Sequence, residues 1–122
     1  MRGVYAGWHL ILDCFIEDEA ANRLEDVELL MAFLDEVAQK IRAELPASPQ
    51  FRTTEEAGER KVTAVRISHE CHINLHAWPR RRRFSLDVWS NQQFSQDEIQ
   101  ELVWTTFSVV RRSSHWIVRN WP

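Results

Sequence analysis

Cysteine is scarce in this chain, with two, Cys14 and Cys71, in 122 residues. That excludes a disulfide framework and a four-cysteine zinc site. No apolar run approaches the ~18 residues of a membrane helix, so no membrane span is expected. The first residues, Met1-Arg2-Gly3-Val4-Tyr5, lack the apolar core and small-residue cleavage site of a secretory signal. A cytoplasmic location is therefore the expectation. Repeats, low-complexity tracts and long linkers are missing too, and 1–122 reads as one domain. Basic excess is absent as well: the net charge of −3 argues against general nucleic-acid binding.

That average conceals an asymmetry. Residues 1–60 carry 6 Lys and Arg against 13 Asp and Glu, a net of −7; residues 61–122 carry 9 against 5, a net of +4. Four of the basic residues are consecutive, Arg80 to Arg83. Hydrophobic residues make up 44% and charged residues 27%, the balance of an ordinary soluble globular domain. The six tryptophans are many for this length, and Trp8, Trp78 and Trp89 lie near polar motifs.

The residues from Tyr5 to Phe15 form a short apolar and aromatic run, which predicts a buried strand. Asn22 followed by Glu25 predicts a helix start. Leu24, Val27, Met31, Leu34, Val37 or Ala38, Ile41 and Leu45 then fall on one helical stripe, stopped by Pro46 and Pro49. Phe51 to Thr54 reads as a short strand, and Gly58 marks a turn. From Val62 the period drops to two. Thr63, Val65 and Ile67 share one face; Ile73, Leu75 and Ala77 share another, opposite Asn74, His76 and Trp78. Phe84, Leu86 and Val88 alternate with Ser85, Asp87 and Trp89 after an exposed arginine connection. Ser95 and Glu98 form a capping box for a second helix, with Ile99, Leu102, Val103, Phe107 and Val110 inward. His115 to Trp121 closes the chain as a strand. The expected fold is α+β: an antiparallel β-sheet with two helices packed on one face. The other face, with His76, Trp78, Asp87 and Trp89, is too apolar to be left to solvent, so a partner or a binding site is expected there.

The densest constellation runs from Ser68 to Pro79, where four of twelve residues are His or Cys. These read as polar strand-edge positions, as a metal set, or as a Cys–His nucleophile pair. Along a strand, His69 and Cys71 point one way and His72 and His76 the other. One ion would need a bulge to collect them, and no metal site is expected.

The stretch Glu70-Cys71-His72-Ile73-Asn74-Leu75-His76-Ala77-Trp78-Pro79 resembles the processing motif of the prokaryotic class of S-adenosylmethionine decarboxylase. That family reads Glu-Ser-His, apolar, small or polar, apolar, then His-Thr-Trp-Pro-Glu. Gly7-Trp8-His9-Leu10 with Asp13 resembles the family's opening strand, and Leu86-Asp87-Val88-Trp89 a later one. The resemblance implies a two-layer fold and a proenzyme that cuts itself before residue 71. It further implies a pyruvoyl cofactor made from that residue, which takes up electrons as an amino-acid substrate loses CO₂. Decarboxylated S-adenosylmethionine, the family's product, is the aminopropyl donor for spermidine. A homodimer with active sites at its interface is also implied, which would cover the mixed sheet face.

Candidate catalytic positions carried over are Cys71, His76, Thr63, Glu70 and Asn91, and candidate substrate-binding positions are Arg80 and Trp78. Several depart from the family. Cys71 replaces the processing serine, and Thr63 replaces a serine that assists it, whereas His76 is intact. Asn91 stands where the family has a cysteine proton donor, and an amide cannot serve so. Arg80 stands where a glutamate holds the ribose hydroxyls, and a guanidinium cannot accept those bonds. The family's Phe-x-Pro-x-Gly-Val stretch, with its adenine-stacking aromatic, is absent before Thr63. A thiol is the better nucleophile, so processing at Cys71 is chemically reasonable. Two functions follow: a decarboxylase of S-adenosylmethionine or another amino acid, and a non-processing binding or regulatory subunit paired with an active paralogue. Arg80 to Arg83 reads as an anion or nucleic-acid patch, or as a solvated connection that blunts edge pairing; the second is the expectation.

Overall fold

The computed structural model describes residues 5–44 and 48–121. The strands are β1 (Tyr5–Ile16), β2 (Gln50–Glu56), β3 (Glu59–Ile67), β4 (Cys71–Trp78), β5 (Arg83–Ser90) and β6 (Val109–Trp121). The α-helices are α1 (Val27–Lys40) and α2 (Gln96–Phe107). All six strands join one antiparallel sheet in the order β2-β3-β4-β5-β1-β6. This is the α+β sheet-and-helix sandwich expected from the sequence. No helix among the described residues is long and apolar enough to cross a membrane.

Period-two alternation sorts the strands into two faces. Leu10, Leu12, Cys14 and Ile16 of β1, Ile73, Leu75 and Ala77 of β4, and Phe84, Leu86 and Val88 of β5 are buried. They meet Leu30, Phe33, Leu34 and Val37 of α1 and Ile99, Val103 and Phe107 of α2 in one apolar cluster. Phe107 is its hub, edge-on to Phe33 at 4.9 Å and tilted against Phe84 at 4.8 Å, geometries that aromatic pairs prefer. In β3 it is Val62 and Ala64 that enter the core. Thr63, Val65 and Ile67 do share a face, and it is the one the helices leave open.

Three boundaries differ from the sequence reading. Residues Asp18–Glu25 form a 3-10 helix, and the α-helix begins after it, capped by Asp26, whose carboxylate accepts from the Leu29 N–H at 3.1 Å. Asn22 lies inside the 3-10 segment and caps nothing. Two overlapping cap patterns, Asn22–Glu25 and Asp26–Leu29, compete here, and the second wins because Leu30 and Phe33 then face the core. Met31 is consequently exposed; Leu45 and Pro46 lie outside the described residues. The second helix ends at Phe107 on Ser108 in the left-handed region, φ 51°, so Val110 belongs to β6 and is 59% exposed. The closing strand therefore starts six residues before His115. Ser95 caps α2 as its box predicts, accepting from Glu98 N–H at 3.2 Å.

Candidate functional site

β3 and β4 meet in a tight hairpin whose turn is His69-Glu70. Ser68 N–H donates to the Cys71 carbonyl at 2.9 Å. The Ser68 hydroxyl accepts from Glu70 N–H at 3.1 Å and Cys71 N–H at 3.2 Å, and lies 3.5 Å from the Cys71 sulfur. A serine fits this turn because its short hydroxyl bonds to nearby backbone N–H groups. The Glu70 carbonyl accepts from Asn91 N–H at 2.9 Å, and Cys71 pairs with Ser90 across the ladder. Cys71, Glu70 and the backbone of Asn91 thus converge, and the Asn91 residue itself is exposed. Cys71 is 1% exposed and points into the helix-side core.

His76, five residues along β4, points to the opposite face. There it faces Thr63 across the ladder, with Oγ1 and Nδ1 3.4 Å apart. Burial, and next the Lys61 charge, hold His76 below the usual histidine range, partly opposed by Asp87. The structure therefore brings together two pairs, Cys71 with Ser68 and Thr63 with His76, on opposite sides of one strand.

Further along the open face the His72 ring stacks on Trp89 at 5.8 Å and meets the edge of His9 at 6.1 Å. His9 Nε2 sits 3.6 Å from an Asp87 oxygen and is enclosed without a hydrogen-bond partner. These rings and Arg119 line a depression of about 280 Å³. Burial and then His9 lower the His72 pKa, against Asp87. Gly7 makes room for the indole: a β-carbon there would lie 2.7 Å from Trp89 Nε1.

Trp78 lies between two cations, Lys61 Nζ at 5.2 Å and the Arg83 guanidinium at 4.9 Å from its ring centre. Arg80 is committed elsewhere, to the Gly58 carbonyl at 2.7 Å and the Glu55 carboxylate, so it ties the β4–β5 connection to the β2–β3 hairpin. Arg81 does the same through Glu59 at 2.8 Å. Sequence reasoning gave no individual site role to Ser68 or Lys61, and read Arg83 only within the Arg80–Arg83 run. The signals were a hydroxyl three residues before Cys71 in a tight turn, and two cations on the same strand face as Trp78. Among the described residues no three His, Cys, Asp or Glu side chains converge as a metal set.

An antiparallel sheet with helices on one face and titratable, aromatic side chains on the other defines a two-layer α+β scaffold with one open face. The chain belongs to the S-adenosylmethionine decarboxylase family, whose model matches residues 8–120. A solved structure, the adenosylmethionine decarboxylase from Aquifex aeolicus VF5, has the same fold with a TM-score of 0.67. The two share 15% identity over 93% of this chain and 89% of that one. No curated protein matches the chain.

Proposed function

We propose that this protein is a divergent pyruvoyl-type decarboxylase, related to the polyamine-forming enzymes of its family, with Cys71 as the self-processing residue and a substrate other than S-adenosylmethionine. The observation that carries the reading is the turn at 68–71 within a family match over 8–120. There a thiol follows directly on a carbonyl already held by a backbone N–H at 2.9 Å. Such a donor is what a developing oxyanion needs.

The residues fit formation of a pyruvoyl group. The Cys71 sulfur adds to the Glu70 carbonyl carbon, the C–N bond breaks, and the freed nitrogen takes the thiol proton, giving a thioester. Loss of the residue-71 α-proton and the Cβ–S bond leaves a thiocarboxylate on Glu70 and dehydroalanine at 71. Water then displaces the nitrogen as ammonia. Ser68, at 3.5 Å from the sulfur, is the hydroxyl placed to relay the thiol proton. The Thr63–His76 pair faces away from the sulfur, and a thiol needs less help from a base than a hydroxyl does. The resulting group supplies the electron sink for decarboxylation. His76 and Thr63 then belong to the substrate side, on the open face with Trp78. A homodimer through that face, including His76, Trp78, Asp87 and Trp89, would enclose it; a monomer in light scattering at micromolar concentration would sink that assembly.

The test is intact mass under denaturing conditions. Slow appearance of pieces of 70 and 52 residues, the second with a blocked N-terminus, is the expected result. The first piece should end in a thioacid, heavier than a carboxylate by the sulfur-for-oxygen difference. A second reading is a non-processing binding subunit, paired with an active paralogue. The separation of Cys71 from His76 by the thickness of the sheet favours it. A chain that stays whole through prolonged incubation would decide for that reading.

A further inference from the structure

Outside the turn and the His9–His72 cluster, one pair of side chains, Lys61 and Arg83, has no role in the reading above. It lies at the other end of the open face, around Trp78. Lys61 and Arg83 are drawn to the two sides of this position by the indole π-system. Arg83 Nε is enclosed and has no hydrogen-bond acceptor. An enclosed guanidinium donor without a partner is costly, and an acceptor there recovers that cost. Beside it lies a cleft of about 280 Å³, lined by Asp13, Phe15, Trp78, Arg83 and Ser85 among others. Asp13 is already engaged, accepting from the Ser85 hydroxyl at 2.6 Å. Arg111 lies 4.4 Å over the Phe15 ring at the same end. From β3 across to β6 the open face carries Lys61, Arg83, Arg111 and Arg119, against Glu59, Asp13 and Asp87. Four of the nine basic residues in the second half of the sequence thus lie on this face. α2, on the opposite layer, carries Asp97, Glu98 and Glu101 and no basic residue.

We infer that the cleft beside Trp78 binds a small ligand through anionic oxygens, carboxylate or phosphate, with Arg83 as the forked donor and Lys61, across the indole and outside the lining, adding positive field. Arg83 suits two oxygens at once because its guanidinium presents parallel N–H groups. Trp78 fixes the cations and presents an apolar wall. The cleft adjoins His76, since His76 pairs with Ser85 and Trp78 with Arg83. Trp78 stands seven residues from Cys71 along β4, about 23 Å at ~3.3 Å per residue, so a small ligand held here does not reach residue 71 of the same protomer. A sulfonium ligand is disfavoured there by two nearby cations. The anion site does not depend on the function proposed above.

Calorimetric titration of the full chain in low-salt buffer tests it with three probes: inorganic phosphate, succinate and S-adenosylmethionine. Phosphate or succinate should bind, weakening as salt is added, and S-adenosylmethionine should not. Phosphate alone points to a phosphorylated ligand, and succinate alone to a carboxylate one. Arg83→Gln should weaken binding about tenfold, and Arg83→Lys less, since charge is kept and the fork lost. If Arg83→Gln fails to fold by circular dichroism, Lys61→Gln carries the test, with a loss of severalfold expected. The inference is overturned if neither anion binds, if neither substitution weakens binding, or if S-adenosylmethionine binds as tightly. Because binding is read on uncut protein, a chain that never cleaves but holds phosphate leaves this site standing while the decarboxylase reading falls. Cleavage without anion binding does the reverse.

Discussion

Replacing Cys71 by serine restores the residue type of the family's processing motif, and we expect it to abolish cleavage rather than restore it. The variant should fold. The sulfur is 1% exposed in the core, so exchanging it for a hydroxyl costs about 1–3 kcal/mol of desolvation, of which one hydrogen bond returns about 1. The partner is at hand, because Ser68 Oγ lies 3.5 Å from the sulfur and, already accepting two backbone N–H bonds, can donate its proton to the new oxygen. A net loss of about 1 kcal/mol leaves a domain of ordinary stability folded. The chemistry fares worse. A hydroxyl needs a base, and the pair that aligns with the family's processing residues, Thr63 and His76, lies on the other side of β4. Wild type should cleave slowly, with most of the chain whole at purification. Cys71→Ser should be slower by at least about tenfold, or ~1.4 kcal/mol of barrier. The assay is a time course of denaturing intact mass for wild type, Cys71→Ser and Cys71→Ala. Faster cleavage of the serine variant than of wild type would refute the argument that the base faces away.

Phe107→Ala should destabilise the fold by about 3–5 kcal/mol, since Phe107 is fully buried between Phe33 and Phe84; urea unfolding measures it. Gly7→Ala should cost about 1–3 kcal/mol and turn the Trp89 indole away from His72, because the new carbon meets Nε1 at 2.7 Å; an unchanged near-ultraviolet dichroism spectrum would count against this. His72 and His76 both have pKa values lowered in the fold, chiefly by burial. The unfolded chain therefore binds protons more readily, and stability falls as pH drops through the ordinary histidine range near ~6.5. The loss levels off once both histidines are protonated in the folded state as well. Urea midpoints at successive pH values should show this slope, and His72→Asn should flatten it.

Much of this was legible from residue spacing. The alternations in β4 and β5 gave both faces of the sheet, and the same parity already set Cys71 and His76 on opposite sides. The Ser95 box was read correctly because a single cap pattern competes for that helix start. The start of α1 was not, because Asn22 and Asp26 both satisfy capping rules and burial of Leu30 and Phe33 decides between them. The end of α2 carried no glycine or proline, since Ser108 itself takes the left-handed conformation. In β3 apolar side chains occupy both faces, so Val62 and Ala64 could not be told from Val65 and Ile67 without their neighbours. Ser68 was given no role of its own because that role depends on the turn closing, and the pairing of Lys61 with Arg83 was not legible because they meet at Trp78 from different strands.

The strand order has a consequence for any cut at residue 70. Upstream of that bond lie β1, β2 and β3; downstream lie β4, β5 and β6. In the sheet these interleave, with β3 hydrogen-bonded to β4 and β1 wedged between β5 and β6. A nicked chain is therefore a braid of two peptides that cannot slide apart without breaking three ladders. It would travel as one particle through any column run in native buffer. The same interleaving makes the protein a natural split pair: two peptides, 1–70 and 71–122, each unable to build the sheet alone, should assemble when mixed.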